Sequence, residues 1–141
     1  MDATDVDAGA LALAQRNVTA LGLAERVVLH EADLFAGLPA AAFDLIISNP
    51  PYVDEAAMAA LPTEYRHEPA TALAAGPEGL DVVARLVEQA ADWLTSDGYL
   101  VVETGRAGAA LEARYPDLAL TWIDFECGGD GVFLAARRDL P

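Results

Sequence analysis

The chain has 141 residues, 54% of them hydrophobic, and a formal net charge of −15; all eight of its basic residues are arginine. That length suits one domain around one core, and the apolar fraction excludes a disordered chain, which has too little apolar surface to bury. The longest basic run is Arg137-Arg138, which argues against gripping a nucleic-acid backbone, since cations must displace counterions from phosphates; the charge suits a basic protein partner and, equally, a plain acidic soluble protein.

In chain order, Leu11, Ala14, Val18 and Leu21 recur at helical spacing and predict a helix over 8–21. Val27-Val28-Leu29-His30 reads as a short strand. Phe43-Asp44-Leu45-Ile46-Ile47-Ser48 is a stronger one, apolar enough to lie inside a parallel sheet. Residues 53–78, rich in Pro, Ala and Glu, lack a period and read as a long loop with helical turns. A helix over 79–94 follows, with Leu80, Val83, Leu86, Val87 and Ala90 along its apolar face. Asp97-Gly98 turns the chain into a strand over 99–104, and a helix at about 107–114 comes next. Strands over 118–125 and 131–136, joined by Cys127-Gly128-Gly129-Asp130-Gly131, predict an antiparallel pair. Strands alternating with helices imply an α/β fold with a mainly parallel sheet, whose ligands bind beyond the carboxyl ends of the strands.

One such end carries Asn49-Pro50-Pro51-Tyr52. This segment suits methylation of a planar amide or amine nitrogen, whose lone pair is delocalised and needs both an electrophilic methyl and strict alignment. Asn49 offers a side-chain carbonyl and Pro50 a backbone one, acceptors for the two N–H bonds of an NH₂ group. The prolines stiffen the loop, and Tyr52 offers an aromatic face for a planar group. Asn49, Pro50 and Tyr52 are thus the catalytic candidates, with Pro51 completing the substrate-binding segment. The plainer reading is a turn that ends a strand, since Asn-Pro is a common turn starter.

Together with Asp33-Leu34-Phe35 upstream and Glu68-Pro69 downstream, Asn49-Pro50-Pro51-Tyr52 resembles the HemK-type protein-(glutamine-N5) methyltransferases. Glu64-Tyr65-Arg66-His67-Glu68-Pro69 and the late Gly128-Gly129-Asp130-Gly131-Val132-Phe133 resemble the branch that methylates large-subunit ribosomal protein three. The resemblance implies a Rossmann-like class I methyltransferase sheet of seven strands, the seventh antiparallel, using S-adenosyl-L-methionine. It implies that Asp5 ends the second strand and bonds the cofactor ribose, that Asp33 and Leu34 contact the adenine, and that Asn49 also borders the cofactor. Beside the ribose role stands a plainer one for Asp5, capping the helix that starts near Ala8. Arg66 and Glu68 are read as shaping the substrate mouth or, equally well, as an ion pair within the loop.

The resemblance covers the C-terminal part of a family member. The glycine-rich cofactor loop, the first strand and a preceding recognition domain all precede the position of Asp5, so residues 1–141 read as a partial catalytic domain lacking them. Tyr99-Leu100-Val101-Val102-Glu103-Thr104-Gly105-Arg106-Ala107-Gly108 imitates that glycine loop, but its place after Asn49-Pro50-Pro51-Tyr52 matches the family's fifth strand and the helix after it. Without the central first strand, three outcomes are expected: direct pairing of the flanking strands, pairing with another chain, or a disordered N-terminus. Self-association through the sheet gap follows from the second.

The remaining signals are few. Cys127, the single cysteine, permits no internal disulfide and reads as a packing residue in a reducing compartment. No apolar run approaches the roughly 20 residues that span a bilayer, and the N-terminus lacks signal-peptide regions, so the expectation is a cytoplasmic protein without membrane contact. His30 and His67 are far apart and no cluster has metal-ligand spacing, so no metal is expected. Trp93 and Trp122 read as packing residues. The function expected is methyl transfer to a glutamine side-chain amide of a basic ribosomal protein. The rivals are an adenine amino methyltransferase, which uses a similar motif after base flipping, and an inactive fragment.

Overall fold

The computed structural model describes residues 1–52, 75–76, 79–129 and 131–141. They form two compact units, residues 1–41 and 42–141.

The first unit holds β1 (Asp2–Asp5), α1 (Ala8–Ala20) and β2 (Val28–Glu31). β1 and β2 pair in parallel, with Asp2 opposite Val28 and Asp5 opposite Glu31. Asp7 caps α1: its backbone is extended and its Oδ1 accepts from the Ala10 N–H at 2.8 Å. Asp5 is therefore not the cap; its Oδ1 instead accepts from the Asp7 N–H at 2.8 Å, one residue pair upstream of the helix. Leu11, Ala14 and Val18 point inward as the helical spacing predicts, but Leu21 stands 71% exposed just past the helix end. The helix stops at Ala20, so Leu21 leaves its apolar stripe.

The second unit begins with β3 (Phe43–Ser48), whose bounds match the apolar run seen in sequence. After it come α2 (Asp81–Trp93), β4 (Leu94–Glu103), α3 (Gly108–Arg114), β5 (Thr121–Ile123) and β6 (Val132–Ala136). A single 3₁₀ turn, Gly105–Ala107, leads into α3. The sheet order is β3-β4-β6-β5, with β3 and β4 parallel and β6 antiparallel to both β4 and β5. The antiparallel final pair and the antiparallel last strand both follow the expectation.

β4 starts earlier than expected. Phe43 pairs with Leu94 but Leu45 pairs with Tyr99, so the Asp97-Gly98 turn is a bulge inside the strand and does not precede it. Gly98 permits this, because a Cβ there would stand 2.9 Å from the Phe43 carbonyl oxygen.

One face of the sheet is the core. Leu100, Val102, Phe133 and Ala135 are buried there. α2 packs on β4 with Val83, Leu86, Val87 and Ala90 buried, the stripe its sequence spacing predicts. Trp122 meets Phe133 edge-to-face at 5.8 Å between centroids and donates its Nε1–H to Glu112 on α3 at 2.7 Å. The packing role expected of Trp122 is thus met.

The opposite face carries Leu45, Ile47 and Tyr99, respectively 50%, 71% and 42% exposed. β3 is an edge strand, and its apolar residues alternate between a covered and an uncovered face.

Of the three outcomes expected for an absent central strand, a disordered N-terminus does not occur, because residues 2–5 form a strand. Cys127 is exposed and not a packing residue, because it lies in the bends between β5 and β6. No helix among the described residues is long and apolar enough to cross a membrane.

Candidate functional site

In the first unit, the parallel register brings the ends of β1 and β2 side by side. The Asp5 carbonyl accepts from the Ala32 N–H at 3.0 Å, so Asp33 emerges next to the end of β1. Asp5 and Asp33 are both exposed at the carboxyl edge of this small sheet. The hydrogen bond from the Asp7 N–H fixes the Asp5 carboxylate by one oxygen. Its other oxygen makes no hydrogen bond among the described residues.

Leu34 follows in the left-handed region at φ 56°, the one non-glycine residue with positive φ among the described residues. For a branched side chain that conformation costs on the order of 1–3 kcal/mol, and such strain gathers at ligand-binding turns. The adjacent turn is closed by the Ala36 N–H on the Asp33 carbonyl at 3.1 Å, and Phe35 is buried behind it. The strain at Leu34 was invisible in sequence, where only a glycine or asparagine would have signalled it.

In the second unit, β3 delivers Asn49 to the carboxyl edge of the larger sheet. Asn49 is exposed, Pro50 is buried, and Pro51 and Tyr52 are half-buried. A buried proline with fixed φ anchors the segment while Asn49 projects from it. The Tyr52 hydroxyl donates to Glu103 Oε1, at the end of the neighbouring strand β4, at 3.2 Å. The side of the Tyr52 ring rests on Gly105: a Cβ there would fall 2.6 Å from the ring carbon Cε2.

The structure brings some of the sequence candidates together and leaves others undescribed. Asp5, Asp33 and Leu34 come together at one sheet edge, and Asn49 to Tyr52 form one stiff segment at the other. Arg66 and Glu68 lie outside the described residues, as do the Glu64-to-Pro69 segment and Asp130. Glu103 and Gly105 were missed. Both belong to the segment that imitated a glycine loop, and the signal was topological: parallel neighbours end at the same edge, so the end of β4 must face the end of β3.

The chain resembles known proteins in sequence and in fold. The methyltransferase small domain family model matches residues 1–78, more than half of the chain. A ribosomal protein uL3 glutamine methyltransferase of Bordetella pertussis is 48% identical over 140 residues, covering 99% of this chain and 47% of that protein. One of Burkholderia pseudomallei is 46% identical over 148 residues, covering all of this chain and 48% of that protein. The chain therefore spans about half the length of these curated relatives.

Among solved structures, a methyltransferase from Pyrococcus furiosus superposes with a TM-score of 0.67 at 20% identity, covering 96% of this chain and 61% of that one. The hMettl16 catalytic domain in complex with MAT2A 3′UTR hairpin 1 gives 0.60 at 19% identity, covering 96% and 53%. At such identities the likeness shows the fold alone, a Rossmann-like class I methyltransferase fold. The chain belongs to the methyltransferase small domain family.

Proposed function

We propose that this chain carries the acceptor site, and one edge of the cofactor site, of an S-adenosyl-L-methionine-dependent enzyme that methylates the side-chain amide nitrogen of a glutamine in a basic ribosomal protein. The observation that carries this reading is Asn49, held exposed at the carboxyl end of β3 by a buried Pro50. The naming of relatives at 46–48% identity supports the glutamine substrate.

Asn49 accepts one N–H of the substrate amide through its side-chain oxygen, and Pro50 accepts the other through its carbonyl. Two fixed acceptors turn the amide plane and tolerate the charge that develops on nitrogen. Tyr52 lies against that plane, and Pro51 keeps the segment rigid. Arg66 and Glu68 enter this reading only as sequence candidates for the substrate mouth.

The first unit fits the cofactor on its own chemistry. A carboxylate with one oxygen tied to a backbone N–H and the other open, as at Asp5, suits the paired hydroxyls of a ribose. Asp33 and Leu34 offer an acceptor and an apolar contact for an adenine ring. When bound, the cofactor supplies the electrophilic methyl group. In this reading residues 1–141 are part of a larger catalytic domain, whose glycine-rich loop lies outside them. The enzyme works in the cytoplasm, where its substrate is made. Isolated chains self-associate through the uncovered Leu45, Ile47 and Tyr99 face and the open edge of β3; sedimentation that gives a monomer at all concentrations would remove this last point.

The test is labelled-methyl incorporation by the full-length protein, offered ribosomal protein and DNA separately. Label is expected on a glutamine of the ribosomal protein. Asn49→Ala is expected to abolish transfer and leave cofactor binding intact. Transfer to DNA adenine alone, or an Asn49→Ala variant near the original rate, would refute the proposal.

A further inference from the structure

Tyr52 is held from several sides at once, and the groups that hold it come from the two stretches that have no part in the function so far. The Tyr52 hydroxyl donates to Glu103 at 3.2 Å in a part-buried contact. Its ring is pressed on Gly105, where a Cβ would lie 2.6, 2.9 and 3.2 Å from the ring carbons Cε2, Cδ2 and Cζ. Gly105 adopts φ 51°, which side-chain-bearing residues disfavour. A ring fixed both along its side and at its hydroxyl cannot change rotamer without breaking one contact.

The platform beneath the ring is itself clamped. Both the N–H and the hydroxyl of Thr104 donate to the Gly131 carbonyl, at 2.8 and 2.9 Å. Gly131, at φ 74°, packs against the Gly105 backbone so closely that any Cβ would collide with its carbonyl oxygen. The late glycine segment therefore supports the end of β4, which in turn supports Tyr52.

We infer that Glu103 and Gly105 are positioning residues for Tyr52, and that Thr104 and Gly131 lock them in place. The inference rests on the reading of Asn49 to Tyr52 as the acceptor site. Its chemical content is orientation. The hydroxyl donates to Glu103 and the ring edge rests on Gly105, so the ring is held in one rotamer as a flat face for the amide plane.

The experiment uses the full-length protein with Tyr52→Phe, Glu103→Ala, Glu103→Gln and Gly105→Ala, plus the Tyr52→Phe/Glu103→Ala double variant. Tyr52→Phe and Glu103→Ala are each expected to lower kcat by about tenfold, the size of one charge-assisted hydrogen bond, with KM for a glutamine peptide little changed. The double variant is expected to be no worse than either single one, because both remove the same bond. Glu103→Gln keeps an acceptor oxygen and is expected to restore most of kcat; Gly105→Ala is expected to fall as far as Glu103→Ala while retaining cofactor affinity.

Additive losses in the double variant, or a Glu103→Ala enzyme at the wild-type kcat, would overturn the inference. If the wild-type protein methylates no glutamine, the functional reading fails instead. The positioning claim is then decided by NMR of ring-labelled tyrosine, with the Tyr52 signal identified by its loss in Tyr52→Phe. That signal is expected to move further in Glu103→Ala and Gly105→Ala than in Glu103→Gln. Equal shifts in all three, or none, would overturn it.

Discussion

Replacing Thr104 by valine tests the clamp without touching the substrate. Thr104 is fully buried and is the one buried polar residue among the described residues. Valine keeps its shape and loses the hydroxyl that donates to the Gly131 carbonyl at 2.9 Å. The cost depends on what happens to that carbonyl. If it were left bare in the core, the penalty would be the desolvation of an orphaned acceptor, about 1–3 kcal/mol on top of the lost bond. It is not left bare, because the Thr104 N–H still donates to it at 2.8 Å. The loss therefore reduces to one net hydrogen bond, about 1 kcal/mol.

Urea unfolding followed by tryptophan fluorescence reads this number cleanly, because Trp93 and Trp122 both lie in the second unit. A fall of about 1 kcal/mol with an unchanged m-value is expected. Truncating the equally buried Phe133 to alanine gives the contrasting scale, about 3–5 kcal/mol for a large core cavity. An unchanged midpoint for Thr104→Val would mean that the hydroxyl bond contributes nothing. A loss approaching that of Phe133→Ala would mean that the carbonyl is orphaned, and the backbone bond with it.

Three further outcomes follow from the geometry. Asp7→Ala removes the side-chain cap of α1 and is expected to cost about 1 kcal/mol, seen as faster amide exchange in the first turn while Asp5→Ala leaves it unchanged. Asp5→Asn is expected to weaken binding of the demethylated cofactor by about tenfold, the difference between a charged and a neutral acceptor, read by calorimetry on the full-length protein. Burial, and then the hydrogen bond it donates to Glu88 at 2.7 Å, hold the Tyr115 phenol above its usual range. Its folded-state value being raised, the stability it contributes is present below the unfolded pKa and lost as pH rises through the folded one. Alkaline titration at 295 nm is expected to lose a late-ionising step in Tyr115→Phe.

Much of this molecule is written in local sequence. The run Phe43–Ser48, the stripe Val83-Leu86-Val87-Ala90 and the glycine-bearing link before Val132 need no tertiary context, because periodicity and turn chemistry act over a few residues. The same locality explains why Asn49-Pro50-Pro51-Tyr52 was legible: two prolines and an asparagine after an apolar strand state their stiffness directly.

Long-range register decided what those signals do not carry. Whether Asp97-Gly98 precedes β4 or bulges within it depends on Phe43 pairing with Leu94. Whether Asp5 or Asp7 caps α1 depends on where the helix begins after β1 turns away. Leu34 adopts its strained φ because the turn after β2 demands it, not because leucine favours it.

Most of all, the partnership of Tyr52 with Glu103 and Gly105 spans some fifty residues of chain, 51 in the case of Glu103. It exists because two parallel strands end at the same edge. Composition, periodicity and the acceptor segment were the sequence's own; the platform that holds its tyrosine belongs to the tertiary structure, since only strand pairing can bring backbone glycines beneath a distant ring.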